Sequence, residues 1–242
     1  MSAPTLPASV SPVFTTEQDW AAYSDEEHAV WAALYRRRMD RLRSTASRRF
    51  QDGASAIGLS PDKVPDLADV NRRLDKFTGW AAVPVTGFLP ARDFFACLAE
   101  RRFPTTVKVR DARNLDYTPE PDIFHDVFGH VPLHADPIFA DFLQRFGQRA
   151  AAASSEAEVE RMARLFWFTV EFGLIREGGE VKLYGSGLIS SQDDAANALS
   201  PRCEHRRFSA EAVMNQGFAI DDLQPVLFVI ESFVELFKAV AE

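Results

Sequence analysis

A single carboxylate inside an apolar segment constrains this chain more than any other feature. Residues 165–175, Leu-Phe-Trp-Phe-Thr-Val-Glu-Phe-Gly-Leu-Ile, contain only apolar residues, glycine and threonine apart from Glu171. Burying an unpaired carboxylate is costly or forces its protonation, so a fold that buries this segment must pair Glu171 or bind it to a metal. Arg164 and Arg176 are alternative partners, but both lie near the ends of the apolar run and are expected in solvent. We therefore favour a metal.

The surrounding pattern predicts that Glu171 lies on a long helix. Ser155 and Glu158 have the spacing of a capping box, which places the start of the helix there. Gly178 and Gly179 are expected to end it, because glycine readily adopts the left-handed conformation that terminates helices. The interior of this helix then carries one carboxylate among apolar side chains.

Two histidines, His125 and His130, are the expected partners of Glu171. Five residues of ideal helix turn through about 500°, so the two rings would diverge by about 140° on one regular helix. They converge if the helix ends between them, which Gly129 and Pro132 favour. We predict His125 on the last turn of a short helix and His130 on the turn that leaves it. Two hydrogen-bonded histidines at a helix end are the alternative, but two imidazoles with one carboxylate form the ligand set of oxygen-handling non-haem iron(II) sites.

A third histidine, His134, lies four residues after His130. That spacing would let both histidines bind one metal if the helix continued through them. Pro132 argues against the continuation, since proline disfavours the helical conformation of the residue before it. We therefore predict that His134 lies at the surface or at the rim of a pocket.

Length and composition favour one domain, and the local patterns along the chain favour a mainly helical fold with a few short β-strands. A chain of 242 residues with 46% hydrophobic content is long enough to bury one core. Residues 1–15 are rich in serine, proline, threonine and alanine, and we predict a flexible tail there. The folded domain is predicted to span residues 16–242.

Local patterns predict the individual elements. Ser24 and Glu27 form a second capping box, for a helix that runs towards Gly53. The other predicted elements are helices from Pro65 to Gly79 and from Arg92 to Arg102, extended segments at Val83–Val85 and Thr105–Arg110, and a helix from Leu223 to Val240.

Charge and cysteine content exclude several kinds of partner and location. The formal net charge is −8 and no basic stripe is present, which argues against nucleic acid as the main partner. The two cysteines, Cys97 and Cys203, are far apart, and no signal peptide precedes the domain, so a reduced cytoplasm is expected. No apolar run is long enough to cross a membrane.

Four motifs carry a family resemblance that covers roughly residues 23–240. They are Tyr-Thr-Pro-Glu-Pro-Asp (117–122), His-Asp-Val-Phe-Gly-His-Val-Pro (125–132), Trp-Phe-Thr-Val-Glu-Phe-Gly-Leu (167–174) and Tyr-Gly-Ser-Gly-Leu-Ile-Ser-Ser (184–191). With them the chain resembles the catalytic domain of the pterin-dependent aromatic amino acid hydroxylases, most closely the small bacterial members that act on phenylalanine. The resemblance implies that family's single-domain catalytic fold.

The activity implied by the resemblance is hydroxylation of phenylalanine to tyrosine with O2, a tetrahydropterin and non-haem Fe(II). His125, His130 and Glu171 are the implied iron ligands, and we count Glu171 and Ser190 as the catalytic residues. The chain lacks the regulatory domain and the tetramerisation helix of animal members, which implies a monomer that meets only small-molecule partners.

The resemblance also assigns the residues that bind the amino acid. Arg110 is the implied carboxylate clamp, since a guanidinium grips a carboxylate in a bidentate fork, and Asp122 is implied to steady it. Thr118 and Ser190 match substrate-side positions, and Ser190 is also suited to support a ligand histidine. The implied walls for the aromatic ring are Pro121 and Trp167. Ile220 occupies a position where tyrosine-specific members carry an aspartate, which favours phenylalanine.

The pterin site is implied in the same way. Phe94 matches the aromatic residue that stacks on the cofactor, although a plain core residue is the alternative for this member of a Phe94-Phe95 pair. Gly87, Phe88 and Leu89 match the loop whose backbone binds the edge of the pterin, and Asp126 matches an acidic position near it.

Several positions depart from the family pattern. Phe166 replaces a common tyrosine, Asp193 and Asp194 replace the usual glycine and glutamate, and Phe218 stands where animal members often have tyrosine. None of these changes removes an implied iron ligand. They leave open a shifted outcome within the same enzyme class, such as 3-hydroxylation of phenylalanine or oxidation of tryptophan. A non-catalytic metal-site protein is the remote alternative.

Overall fold

Helices dominate the computed structural model, which describes residues 4–116 and 120–241. The described helices are α1 (Asp25–Thr45), α2 (Arg48–Ala56), α3 (Leu67–Leu74), α4 (Ala91–Ala99), α5 (Pro137–Ala151), α6 (Glu156–Phe166), α7 (Ser186–Ser190), α8 (Gln192–Ala198), α9 (Ala210–Asn215) and α10 (Phe233–Ala241). Two π-helices, Phe124–His130 and Trp167–Glu171, and short 3-10 turns complete the helical part. The predicted mainly α fold is confirmed.

The strands form two small sheets. In the first, β1 (Ala81–Val85) pairs in parallel with β2 (Arg102–Thr106). The second has the order β4-β3-β6-β5, with β3 (Leu174–Glu177), β4 (Glu180–Leu183), β5 (Glu204–Arg207) and β6 (Val226–Ile230). Only β3 and β4 in this sheet are antiparallel. Each sheet places a strand beside one π-helix.

Both predicted capping boxes are confirmed. The Ser24 hydroxyl accepts a hydrogen bond from the Glu27 amide at the start of α1, and Ser155 and Glu158 do the same at α6. The first helix does not continue to Gly53, however. It ends at Thr45, and Ser47 caps a new helix, because its hydroxyl accepts from the Phe50 amide.

Two other predicted elements are wrong in part. The expected strand at Thr105–Arg110 lies earlier, since β2 ends at Thr106. The expected helix within Leu223–Val240 begins with β6, and α10 follows only at Phe233. Val226–Ile230 is a continuous apolar run buried in its sheet, and such a run has no periodicity that separates a strand from a helix.

Aromatic side chains fill the core beneath the π-helices. Most of the phenylalanines are buried, and Phe128 packs against three rings from two other helices, Trp31 and Tyr35 on α1 and Phe50 on α2. The largest side chains below 2% exposure are Trp31, Trp80, Tyr184, Phe50, Phe103, Phe124, Phe128, Phe139, Phe142, Phe146, Phe168 and Phe228. Tight packing of this kind fixes the backbone from which the site residues project.

The N-terminal segment contacts the domain. Val10 is only 5% exposed, Thr15 forms an antiparallel bridge with Val85, and the Thr86 amide donates to the Phe14 carbonyl at 3.0 Å. The segment therefore extends the edge of the β1 sheet. The division of the chain at residue 15 stays a prediction. Within the described residues, no helix is long and apolar enough to cross a membrane.

Candidate metal centre

The two histidines share one π-helix. His125 and His130 lie within Phe124–His130, which continues directly into a 3-10 turn at Val131–Ala135. The prediction that the helix ends between them is wrong, and Gly129 does not adopt a left-handed conformation. A π-helical turn closes with an i→i+5 hydrogen bond, so residues five apart lie roughly one turn apart and face the same way. The widened turn therefore brings the two imidazoles together.

Glu171 ends the second π-helix. Helix α6 continues into Trp167–Glu171, and the chain leaves the helix at Phe172. The predicted end at Gly178 and Gly179 is wrong, because these glycines, with φ of 60° and 86°, form the turn between β3 and β4. A glycine is needed at such positive φ because other residues are strained there.

The alternative partners of Glu171 bind elsewhere. Arg164 donates to Glu160 and Arg176 donates to Glu231, both on the outside of the molecule. Glu171 faces the two histidines instead, with a side chain that is 15% exposed.

Three donor atoms converge. The Nε2 atoms of His125 and His130 are 3.1 Å apart, His130 Nε2 is 3.1 Å from Glu171 Oε1, and His125 Nε2 is 3.7 Å from Glu171 Oε2. Ligand atoms about 2.1 Å from one ion and at right angles to each other are about 3 Å apart. The spacing and the chemistry of the donors therefore fit a single metal ion. No other group of three or more histidine, cysteine or acidic side chains in the described part of the chain has this geometry.

Hydrogen bonds behind the donors orient two of them. His125 Nδ1 lies 2.9 Å from the Ser190 hydroxyl, which itself donates to the Ser186 carbonyl. The hydroxyl oxygen thus accepts from an Nδ1–H, a tautomer inferred from the network, and leaves Nε2 free to bind a metal. The Ser186 hydroxyl donates to Glu171 Oε2 at 2.7 Å. Burial by itself raises the pKa of Glu171, but His130, His125 and Ser186 outweigh burial and bring the pKa to about 2.

Helix α7 lies directly against both π-helices. A side chain at Gly185 would place its Cβ 2.3 Å from the Glu171 carbonyl oxygen, and one at Gly129 would meet the Ser186 carbonyl oxygen at 3.0 Å. This close approach lets Ser186 and Ser190 reach Glu171 and His125 respectively. Ser186 was not among the predicted site residues, although its position inside the Tyr-Gly-Ser-Gly motif was a usable signal.

Arg110 and Asp122 form a buried ion pair. The Arg110 Nε and Nη2 atoms each donate to Asp122 at 2.8 Å, and Nη1 donates to the Leu115 carbonyl. Asp122 also accepts from the amide of His125, so it links the arginine to the start of the first π-helix. This ion pair is not at the surface, since the two side chains are 7% and 3% exposed.

Aromatic rings enclose Trp167, one helical turn before Glu171. Its indole stacks on Phe218 with 4.4 Å between ring centroids and contacts Phe172 at 4.7 Å. The buried indole Nε1 has no hydrogen-bond partner among the described residues. Pro121 is half-buried and lies four residues before His125. Ile220, in contrast, is 73% exposed, so its side chain does not pack in a pocket wall here.

The residues assigned to the pterin divide between core and loop. Phe94 is half-buried and packs edge-on against Phe103 and Phe166, whose rings both face His130. Gly87, Phe88 and Leu89 lie on the loop after β1, where Phe88 is 67% exposed. These positions leave the assignments to a pterin as predictions.

Asp126 turns inward. It is 6% exposed and accepts from both the amide and the hydroxyl of Thr106 at the end of β2, with distances of 2.7 and 2.6 Å. Burial raises the pKa of Asp126. Its role near a pterin stays a prediction, and Thr106 is a partner that sequence reasoning missed.

His134 is not a surface residue. It is 1% exposed and stacks on Trp80 with 4.6 Å between ring centroids, because the helix continues past Pro132 as a 3-10 turn. Burial lowers the pKa of His134, which favours the neutral ring. Thr118, the remaining predicted substrate residue, lies outside the described residues.

A mainly helical domain that gathers two imidazoles and one carboxylate around an open position defines a class of protein, the mononuclear non-haem metal oxygenases. Within that class, the chain belongs to the biopterin-dependent aromatic amino acid hydroxylase family, whose sequence profile matches residues 16–242.

Characterised proteins agree with this membership. Over 231 residues the chain is 42% identical to phenylalanine-4-hydroxylase of Caulobacter vibrioides, which covers 95% of this chain and 79% of the relative. A structure of Chromobacterium violaceum phenylalanine hydroxylase bound to cobalt superposes with a TM-score of 0.92 at 40% identity, covering 98% of this chain and 85% of that one. A second structure of that enzyme, with iron(III) and 7,8-dihydrobiopterin, gives a TM-score of 0.91 at the same identity and coverage.

Proposed function

We propose that this protein hydroxylates L-phenylalanine to L-tyrosine with O2 and a tetrahydropterin at an Fe(II) centre. The observation that carries the proposal is the convergence of His125, His130 and Glu171, whose donor atoms all lie within 4.8 Å of one another. The relatives named phenylalanine-4-hydroxylase support the choice of substrate. One oxygen atom of O2 enters the ring and the other leaves on the pterin, which supplies the two electrons.

His125, His130 and Glu171 would hold the iron. Fe(II) bound there supplies the oxygen-activating chemistry of this ligand set. The protein's own contribution is orientation, because Ser190 fixes the ring of His125 and Ser186 fixes the carboxylate of Glu171. The rings of Phe103 and Phe166 face His130 and shield it to 3% exposure, whereas the side chains of His125 and Glu171 stay 23% and 15% exposed.

Arg110 would bind the carboxylate of the amino acid. A guanidinium has five N–H donors, and three contacts of Arg110 are made within the protein, two to Asp122 and one to Leu115. The two remaining N–H donors have no partner among residues 4–116 and 120–241, and the ion pair holds the guanidinium in one orientation. Trp167 and Pro121 would then line the space for the aromatic ring.

The pterin would bind between the loop at Gly87–Leu89 and the ring of Phe94. Phe94 is half-buried, so one part of its ring is available to a planar ligand while the rest packs against Phe103 and Phe166. Asp126 lies beside the first histidine and contributes a polar group to this side of the centre.

Product analysis tests the proposal. Fe(II)-loaded protein is incubated aerobically with phenylalanine and tetrahydrobiopterin, and the product is compared by chromatography with ortho-, meta- and para-tyrosine. We expect para-tyrosine at one equivalent for each pterin oxidised, and no product from the Glu171→Ala protein. Meta-tyrosine would establish shifted regiochemistry instead. Pterin oxidation without product would show that phenylalanine is the wrong substrate, and no pterin oxidation would contradict hydroxylase activity.

We also propose a cytoplasmic monomer. The two free cysteines, Cys97 and Cys203, are both buried, and burial raises the pKa of each thiol, so neither favours the reactive thiolate. This suits a reducing compartment. Size-exclusion chromatography with light scattering is expected to give the mass of one chain, and a dimer mass would contradict the proposal.

A further inference from the structure

A charged side chain lies buried behind the metal centre. Arg38, on α1, is 3% exposed, and among the described residues it forms no ion pair within 4 Å. Its Nε donates to the carbonyl of Ile189 at 2.7 Å and its Nη2 donates to the carbonyl of Leu188 at 2.9 Å. Burial lowers the pKa of Arg38 to about 10, so the group is still charged at neutral pH.

Those two carbonyls belong to the last turn of α7. The final carbonyls of a helix have no partner within it and must be satisfied by other groups. Water does not reach them here, because Leu188 and Ile189 are 1% and 0% exposed. Arg38 therefore caps the end of α7 from a different element, and a buried guanidinium is a costly way to do so unless the position of α7 matters.

The next residue explains why the position matters. Ser190 ends α7, and its hydroxyl lies 2.9 Å from Nδ1 of His125. A shift of a few tenths of an ångström at the end of α7 would lengthen this hydrogen bond and free the imidazole to rotate. The chain of contacts thus runs from Arg38 through two carbonyls and one hydroxyl to a candidate metal ligand.

We propose that Arg38 is a positioning residue for the metal centre, which acts on His125 through the end of α7 and Ser190. The proposal rests on the proposed function for the identity of the metal. It requires only that His125 bind a metal through Nε2. Loss of a group that orients a metal-binding histidine typically weakens metal binding by about 10–100-fold.

The adjacent arginine provides a matched control. Arg37 is on the same helix, but its side chain is 41% exposed and contacts Asp116 and Gln192 at the surface. Arg37→Met makes the same chemical change as Arg38→Met without touching the carbonyls of α7. Val30→Ala is a second control, since it removes buried volume from α1 about 12 Å away along the helix and lowers stability without changing the cap.

Cobalt(II) titration of the metal-free proteins measures the effect directly. We expect Arg38→Met to weaken Co(II) binding by about 10–100-fold, while Arg37→Met and Val30→Ala bind as wild type does at a temperature where all are folded. Arg38→Lys keeps the charge and one carbonyl contact, and we expect partial recovery. Unchanged Co(II) affinity in Arg38→Met would overturn the proposal, and so would equal weakening in Val30→Ala.

A double-mutant cycle tests the route. If Arg38 acts through Ser190, Arg38→Met has little further effect on Co(II) affinity in a Ser190→Ala background. Full additivity of the two changes would overturn this route. Failure of the proposed function has a different outcome, because wild-type protein would then bind Co(II) normally and form no tyrosine.

Discussion

The metal centre and the loops around it are built on different principles. His125, His130 and Glu171 project from two π-helices that α7 holds in place by direct backbone contact. The parts assigned to pterin and substrate lie largely on connecting segments, where Phe88 is 67% exposed and Ile220 is 73% exposed. A metal tolerates little error in ligand distance, whereas a rim through which two organic molecules enter must be able to adjust. The difference indicates that the metal geometry is preformed in this chain and that the organic ligands complete the rest.

Replacing Glu171 is expected to have the largest effect. Glu171→Ala removes one of three donors, so Co(II) affinity should fall by more than the about 100-fold that loss of a supporting group causes, and para-tyrosine formation should stop. Titration with Co(II) and circular dichroism measure metal binding and folding separately. Glu171→Gln serves as a control for side-chain volume. Normal metal content in the alanine variant would remove Glu171 from the ligand set.

Arg110→Lys should act mainly on the amino acid. Lysine cannot form the bidentate fork, and a charge-assisted hydrogen bond contributes about 1.5–3 kcal/mol, so we expect KM for phenylalanine to rise by roughly 10–100-fold. KM for the pterin should change by much less. Steady-state kinetics, with phenylalanine and the pterin varied in turn, measure the two KM values separately. Equal changes in both constants would contradict a carboxylate clamp.

Trp167→Phe should shift specificity by a smaller amount. A smaller ring opens the wall beside Phe218, and pocket size is typically worth about 1–3 kcal/mol. We expect the ratio of kcat/KM for tryptophan to kcat/KM for phenylalanine to rise about tenfold. Trp20→Phe, the same change at a half-buried position near the N-terminus, is the control. A constant ratio would show that Trp167 does not set specificity.

Releasing the N-terminal segment should have the smallest effect on activity. It acts on the predicted pterin loop at Gly87–Leu89. Val10→Asp places a charge at a buried position and is expected to detach the segment from Thr86, just before the loop at Gly87–Leu89. Exposed Val13 is the matched control, as Val13→Asp. We expect faster hydrogen exchange of the Thr86 amide and a rise in pterin KM of about fivefold or less, which corresponds to about 1 kcal/mol. If the first fifteen residues are a free tail, neither variant changes anything.

The sequence predicted which side chains meet better than it predicted how. Glu171 stood out because an isolated carboxylate in an apolar run needs a partner, and the structure does bring it to His125 and His130. The two π-helices could not be derived, because hydrophobic periodicity assumes a regular α-helix and the extra residue per turn leaves no local signature. The wrong prediction for His134 has a different cause: Pro132 was expected to end the helix, but the chain continues past it as a 3-10 turn that buries the ring.

Other features depend on contacts between distant segments. The Arg38 cap on α7 joins residues separated by about 150 positions, and nothing in the local sequence around Arg38 distinguishes it from the neighbouring surface arginines. The capping boxes of Ser24 and Ser155, by contrast, were predicted because their partners are three residues away. Capping between near neighbours was therefore predictable from the sequence, whereas the long-range Arg38 cap was not.

The π-helices also determine how this site tolerates insertions and deletions. In Phe124–His130 the helix type and the histidine spacing depend on each other. A spacing of five residues brings the two imidazoles together only on the wider π-helical turn. A one-residue deletion between the histidines would leave a spacing of four, which suits an ordinary α-helix and keeps both rings on one face. A one-residue deletion in Trp167–Glu171 would likewise remove the extra residue of the wide turn and return that segment to an ordinary α-helix, with Glu171 close to its present direction. Single-residue deletions should therefore be tolerated better at these two wide turns than in the regular α-helices, where a deletion rotates the residues that follow by about 100°.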